Sequence, residues 1–249
     1  MKTQTETPFK TYYAVIAPLL MGSGVGDGKT TACVMAQAAT IDALRNGRTL
    51  DKPTDKMECA CPVLRRLAIR LNDTNWWNSN EERTETLRPI IPLLLDSRGN
   101  RAITDARVFL VADRSVRDLT PMRLEFIAQK TKSDKVKADC LSGAKKLRSL
   151  ARIKDKASAL KARDACENLR KSASASASAY AYASADAYAS AYAYAYAYAS
   201  AYAYAAAAAY ADEYVDAYAY AQKLKYRESL LQCFYDCAAI KSPNKKSRK

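Results

Sequence analysis

The residues best suited to chemistry in this sequence form a glycine-rich loop, Gly22 to Thr31. Four of the seven glycines in the chain fall between Gly22 and Gly28. In a phosphate-binding loop, glycine N–H groups and a helix N-terminus hold the phosphates, a lysine neutralises them, and a threonine reaches magnesium. The residues that would take these parts here are Gly24, Gly26, Gly28, Lys29 and Thr30.

The loop departs from the full phosphate-binding pattern at one position. The pattern has a glycine five residues before the glycine of Gly-Lys-Thr, and Ser23 stands there. Residues Val108 to Asp113 could supply the strand and acidic residue that complete such a site, although their spacing fits a helix equally well. Pro18 also lies inside the strand that would precede the loop. A flexible glycine-rich loop leading into a helix is therefore the simpler interpretation, and nucleotide binding is kept as an alternative.

Basic residues form the second candidate site. The formal net charge is +14, and residues 132–171 carry 13 basic and 5 acidic residues, while residues 223–249 carry 8 and 2. Such clusters are typical of surfaces that meet phosphates or acidic partners, and also of a solvated helix face. The predicted nucleic-acid-binding residues are Lys145, Lys146, Arg148, Arg152, Lys154, Lys156, Lys245, Lys246, Arg248 and Lys249.

Catalytic and metal-binding residues are not predicted. The sequence contains no histidine, which excludes Ser-His-Asp and Cys-His catalysis and histidine-ligated zinc. Its seven cysteines are scattered, and the pairs Cys59/Cys61 and Cys233/Cys237 do not have a standard zinc spacing. We expect reduced, buried thiols, no metal and no cofactor.

A cytoplasmic location follows from the hydropathy pattern. The apolar run from Tyr12 to Met21 is not followed by a small-x-small cleavage site, so a signal peptide is not expected. No other run is long and apolar enough to span a bilayer. The sequence therefore predicts no membrane contact and a cytoplasmic protein.

Helix signals recur along the first part of the chain. Capping residues, prolines at first helical positions and Asn-Gly or Asn-Asp stops mark the ends of several helices. They predict helices from Thr30 or Thr31 to Arg45, from Pro62 to Arg70, from Ser79 to about Leu87, from Thr104 to about Asp118, from Thr120-Pro121 onward, and from Ser133 onward with a weak point at Gly143. Trp76 and Trp77 are expected to be one buried and one at the rim.

A two-letter tract dominates the second half of the chain. From about Ser172 to Ala221, alanine alternates with tyrosine, serine or aspartate. Strict alternation is a strand pattern, but a tract of this length would need several turns, and it contains no glycine or proline. Alanine is the best helix former. The tract therefore predicts a long helical arm; silk-like strands and disorder are the alternatives, and the arm could join copies of the chain into a homo-oligomer.

These elements define an all-α protein with a small helical N-terminal domain and a long Ala/Tyr-rich helical arm. The predicted segments are an N-terminal segment at 1–21, a helical head domain at 22–131, a basic helix at 132–171, an Ala/Tyr helix at 172–222, and a basic helix end with a disordered tail at 223–249.

One stretch carries a family resemblance. Residues Asp55 to Asn100 contain Pro-Val, Leu-Asn-Asp, Leu-Arg-Pro and Pro-Leu-Leu, followed by Ala112-Asp113 and the alanine-rich tail. This order resembles a family of uncharacterised proteins from bacteriophages and environmental bacteria. The resemblance implies a helical head with an alanine-rich tail, a helix at Val108 to Asp118, and a phage-like origin, without implying an activity.

Three functions are thus carried forward. The first is a non-enzymatic interaction protein whose basic segments bind nucleic acid through its phosphates, with little sequence preference, or bind an acidic protein. The second is a P-loop-like nucleotide-binding protein that uses the loop Gly22–Thr31. The third is a structural, self-associating helical rod.

Overall fold

The fold of the chain is all-α, as the sequence predicted. A computed structural model describes residues 6–73, 76–172 and 220–241, and within these ranges helices are the only regular elements, with no β-strand. The nearest approach to a sheet is one parallel bridge between Leu20 and Thr31. The Ala/Tyr arm from residue 173 to 219, and the tail that carries Lys245, Lys246, Arg248 and Lys249, lie outside the described residues.

Ten α-helices are present in the described ranges, and two short non-α turns continue them. One is a 3₁₀ turn at Arg88–Ile90, and the other is a π turn at Ser115–Leu119. The α-helices are α1 (Glu6–Ile16), α2 (Val34–Arg45), α3 (Pro62–Asp73), α4 (Asn80–Leu87), α5 (Ile91–Leu94), α6 (Arg101–Arg114), α7 (Thr120–Lys130), α8 (Asp134–Arg148), α9 (Lys156–Ser172) and α10 (Tyr220–Ala239).

The chain divides into two compact units. Unit one contains the residues up to Thr104 together with those from Leu230 onward, and unit two contains Asp105 to Ser229. Helices α6 and α10 each contribute residues to both units. The sequence placed the end of the head domain at residue 131, between α7 and α8. These two helices pack mainly on each other, so this residue does not coincide with a unit boundary.

Helix α2 is the central element of unit one. Every residue from Ala32 to Ala39 is buried, and α1, α3 and α5 pack against this helix. A helix that is buried on all sides needs small apolar residues rather than one apolar stripe, which the alanines of α2 supply. The predicted start at Thr30 or Thr31 is wrong: α2 begins at Val34, and the sulfur of Cys33 accepts the N–H of Ala36 at 3.3 Å. The predicted stop at Asn46-Gly47 is confirmed.

An irregular segment, Leu19 to Gly22, runs through the interior of unit one. Buried backbone polar groups need partners, and here polar side chains from the surrounding helices provide them. The N–H of Met21 donates to the hydroxyl of Thr84 at 2.7 Å. The side chain of Gln37 donates to the carbonyls of Leu19 and Ala32. Arg83 donates to the carbonyl of Met21, Asn72 to that of Gly22, and Arg88 to that of Leu19.

Unit two begins with a helical run that is continuous from Arg101 to Lys130. The sequence predicted that Thr104 caps a helix and that a new helix begins at Thr120-Pro121. The cap is instead Asn100, whose side chain accepts the N–H of Ile103 at 3.1 Å. At Thr120-Pro121 the helical run continues without a break. The π turn carries the run past Pro121, which has no N–H to donate. The hydroxyl of Thr120 bonds to the carbonyl of Ser115 at 2.8 Å within this turn.

The basic segment at 132–171, predicted as one helix weakest at Gly143, contains two helices. Gly143 lies buried inside α8, and the break falls at residues 149–155. There the N–H of Ile153 donates to the carboxylate of Asp113 at 2.8 Å. Asp155 and Ser158 then cap α9 reciprocally, each backbone N–H bonding to the other side chain. These bonds fix a turn that apolar periodicity does not reveal.

The core of unit two is made largely of small side chains. The buried cluster contains Ala112, Val116, Leu124, Ala128, Cys140, Ala144, Leu147, Ile153, Ala159, Ala162 and Cys166. Because alanine and cysteine side chains are small, α7 and α8 can approach closely. Only a few residues of α8 are buried by this packing. The remaining surface of α8 faces solvent.

We predict that Gly26→Ala destabilises the protein more than Gly24→Ala. Both glycines have positive φ, which costs an L-residue about 1–2 kcal/mol. A Cβ at Gly26 would also stand 2.4 Å from the carbonyl oxygen of Thr31, whereas at Gly24 nothing lies within 4 Å. Overpacking adds about 1–3 kcal/mol. Urea unfolding followed by circular dichroism measures the difference, and equal losses would contradict the loop geometry.

Candidate functional site

The exposed face of α8 is basic. The buried residues of α8 are Cys140, Gly143, Ala144 and Leu147, so the opposite surface of the helix faces solvent. That surface carries Lys135, Lys137, Lys145, Lys146 and Arg148, all exposed. At 3.6 residues per turn, Lys137, Arg148 and Lys145 lie along one side of the exposed surface, together with the exposed Asp134, and Lys135 and Lys146 lie along the other side, about 80–180° away around the helix. We call these five basic residues the α8 basic face.

Four arginines of unit two are engaged with carboxylates. Ion pairs join Arg114 to Asp118, Arg117 to Asp113, Arg148 to Glu125 and Arg163 to Asp164. Arg148 binds both oxygens of Glu125, and this hydrogen bonding raises the pKa of Arg148 and lowers the pKa of Glu125. Arg148 was predicted as a phosphate contact, and the structure places it in a bond between α7 and α8.

The lysines of the α8 basic face behave differently. Within the described part of the chain, Lys135, Lys137, Lys145 and Lys146 form no ion pair. Lys145 and Lys146 lie in the last turn, where they also stabilise the negative end of the helix dipole. These four ammonium groups, which have no ion-pair partner among the described residues, stand in two rows on the exposed part of α8.

The other predicted basic residues extend this surface. Arg152 and Lys154 are exposed in the turn after α8, and Lys156 is exposed at the start of α9. The structure thus gathers the six described candidates at the end of α8 and the turn that follows. Sequence reasoning missed Lys135 and Lys137. The four-residue steps from Lys137 through Leu141 to Lys145 would have placed Lys137 on the side of Lys145, and the eleven residues from Lys135 to Lys146 would have placed Lys135 on the side of Lys146, once α8 was recognised as a separate helix.

The glycine loop holds a carboxylate of its own. The Oδ1 atom of Asp27 accepts the N–H groups of Lys29 and Thr30 at 2.9 Å and of Thr31 at 2.8 Å. The hydroxyl of Thr30 donates to Oδ2 at 2.7 Å. Hydrogen bonds from Thr31 and Thr30 hold the pKa of Asp27 well below its usual range. The donors that would hold a phosphate are thus occupied by an internal anion.

The other parts of a phosphate-binding loop are arranged differently here. Helix α2 starts four residues after Thr30, and its first N–H, at Val34, donates to the buried amide oxygen of Asn72 at 3.1 Å. The segment Val108 to Asp113 is part of α6 and is not a strand, and Asp113 binds Ile153 and Arg117. Lys29 is exposed.

A cavity of about 370 Å³ lies between the glycine loop, α2 and the following turn. Apolar side chains make most of its lining, including Val15, Leu19, Leu44 and Leu50. Lys29, Arg48, Asp27 and Asp51 also line it, so its two cations are opposed by two carboxylates. This balance of charge does not favour a phosphate over a neutral molecule.

The tryptophans and cysteines occupy structural positions. Trp76 is buried, and the indole N–H of half-buried Trp77 donates to the carbonyl of Leu71 at 2.9 Å, which confirms one buried and one rim position. The seven cysteines form no disulfide with one another, and six of them are buried. No group of three or more potential metal ligands occurs in the part of the chain that the structure describes.

Comparisons with family models, with curated proteins and with solved structures find no match to this chain. In the described residues, no helix is both long enough and apolar enough to cross a membrane.

We predict that magnesium-ATP leaves the melting temperature of the protein unchanged. The N–H groups of the glycine loop already bind Asp27, and a phosphate would have to displace that carboxylate. Differential scanning fluorimetry of the wild type, of Lys29→Ala and of the exposed-lysine control Lys52→Ala checks this. A rise of several degrees in the wild type and the control that Lys29→Ala abolishes would establish the glycine loop as a nucleotide site.

Proposed function

We propose that this chain is a non-enzymatic, phage-type interaction protein that binds nucleic acid through its phosphates, with little sequence preference. The observation that carries the proposal is the α8 basic face, on which four exposed lysines lack carboxylate partners within the described residues, while arginines of the same unit are paired. Arg152 and Lys154 continue this surface beyond the helix.

The chemistry of the surface favours phosphate as the group that it binds. Lysine is a compact point charge on a flexible stem, suited to a phosphate that need not be held in one orientation. Base readout needs polar side chains that are held against base edges in a groove, and arginine, asparagine and glutamine make its usual bidentate contacts together with lysine. The only exposed arginines near the face are Arg152 and the Glu125-bound Arg148 among the described residues. Affinity should therefore come from counterion release.

Two further parts of the chain belong to this proposal. The tail residues Lys245, Lys246, Arg248 and Lys249 would add phosphate contacts, and the Ala/Tyr arm would be a helical spacer that could also join copies of the chain. Host cytoplasm is the proposed location, where nucleic acid and reduced thiols are both present. An acidic protein remains the competing partner, since its carboxylates are also negatively charged but are arranged differently from the phosphates of a nucleic acid.

We predict that neutralising three lysines of the α8 basic face weakens nucleic-acid binding more than neutralising three lysines of unit one. The variant is Lys137→Gln, Lys145→Gln and Lys146→Gln. Its matched control is Lys29→Gln, Lys52→Gln and Lys56→Gln, also all exposed, which changes the total charge equally. Each lost duplex phosphate contact should make the log–log salt dependence shallower by about 0.9.

Fluorescence anisotropy with labelled duplexes of several sequences, titrated at a series of salt concentrations, measures both quantities. Circular dichroism verifies that each variant stays folded. Equal losses in the two triple variants would show that only bulk charge matters. If wild-type protein freed of contaminants binds neither DNA nor RNA at low salt and micromolar concentration, nucleic-acid binding is wrong, and an acidic protein becomes the leading partner.

A further inference from the structure

An open cleft lies beside the α8 basic face, between the end of α8 and the second half of α9. Its volume is about 470 Å³, within the roughly 300–1,000 Å³ range of sites for small organic groups. The lining residues are Lys146, Ser149, Leu150, Ala165, Asn168 and Leu169. Lys146 thus belongs both to the α8 basic face and to the lining of the cleft.

The cleft is apolar at its base. Leu150 and Leu169 are half-buried, and both pack against the buried cluster of unit two, which fixes their positions. Ala165 contributes only a methyl group, which leaves the space open. A flat apolar group entering here would contact two leucines and remove carbon surface from water on both sides.

Two polar side chains are available at the walls. The carboxamide of Asn168 is exposed and makes no hydrogen bond with the described residues, so its donor and acceptor are both available. The hydroxyl of Ser149 donates to the carbonyl of Lys146 at 2.8 Å and retains its acceptor lone pairs. An amide paired with a hydroxyl matches the mixed donor and acceptor edge of a nucleobase.

We propose that this cleft takes one unpaired nucleobase of a single strand whose phosphates lie on the α8 basic face. The inference rests on the proposed function, and it specifies single-stranded nucleic acid as the preferred partner. A base inside a duplex is stacked and paired, so it cannot enter the cleft, and a duplex is bound through phosphates alone. A single strand gains the same phosphate contacts and the base contact in addition.

The base contact discriminates strands from duplexes more than it discriminates one base from another. The leucines offer contact to the face of any base, and Asn168 alone could favour one base edge. Wild-type protein should therefore bind an oligothymidylate about tenfold more tightly than a duplex of the same length at equal salt.

The first test fills the cleft. Ala165→Trp places an indole in the cavity, and Ala157→Trp puts the same side chain at an exposed position of the same helix as a control. We expect Ala165→Trp to weaken oligothymidylate binding about tenfold, with duplex affinity and the salt dependence unchanged. Ala157→Trp should change neither. Anisotropy with the two labelled probes measures the affinities, and circular dichroism verifies folding.

A second measurement needs no variant. A labelled strand of abasic sugar-phosphates keeps the charge and loses the bases, so wild-type protein should bind it about tenfold more weakly than the oligothymidylate. Equal affinity for the two strands, or an Ala165→Trp loss that is the same for duplex and single strand, would overturn the cleft assignment and leave phosphate binding intact. Failure to bind any of the three probes would instead remove the proposed function, and the cleft assignment with it.

Discussion

Polar groups that leave water must find partners, and in this protein side chains provide many of them. The irregular segment before α2 is satisfied by buried residues such as Gln37, Asn72 and Thr84. Because these residues come from three different helices, they fix the segment and the helices together. The same requirement accounts for the glycine loop, where Asp27 takes the N–H groups that would otherwise be open to an anion.

Internal pairing of this kind decides which charges are left for a partner. In unit two, carboxylates bind arginines and backbone N–H groups, as Asp113 does with Arg117 and Ile153. The four lysines of the α8 basic face have no carboxylate partner among the described residues, and they lie on the exposed surface of the helix, on both sides of the line opposite the small-residue core. The position of the basic face therefore follows from how α8 packs: its alanine and glycine side is buried on α7, so its lysine side must face solvent.

The helical class and several helix ends could be read from sequence because capping residues act locally. Ser79 before α4 is an example, since its hydroxyl accepts the N–H of Glu82. Features that depend on distant partners could not be read in this way. The start of α2 is set by Asn72, and the turn between α8 and α9 is set partly by Asp113. The candidate basic residues were largely found from charge density, but the pairing of Arg148 with Glu125 requires the fold.

Lysine protection tests the central claim most directly. The protein is acetylated with an amine-selective reagent, alone and saturated with single-stranded DNA, and the modified lysines are quantified by mass spectrometry. Bound phosphates should protect Lys137, Lys145 and Lys146, while Lys52 and Lys56 in unit one keep their reactivity. Unchanged reactivity of the three α8 lysines in a complex shown to be saturated, or equal protection of all five, would contradict the account.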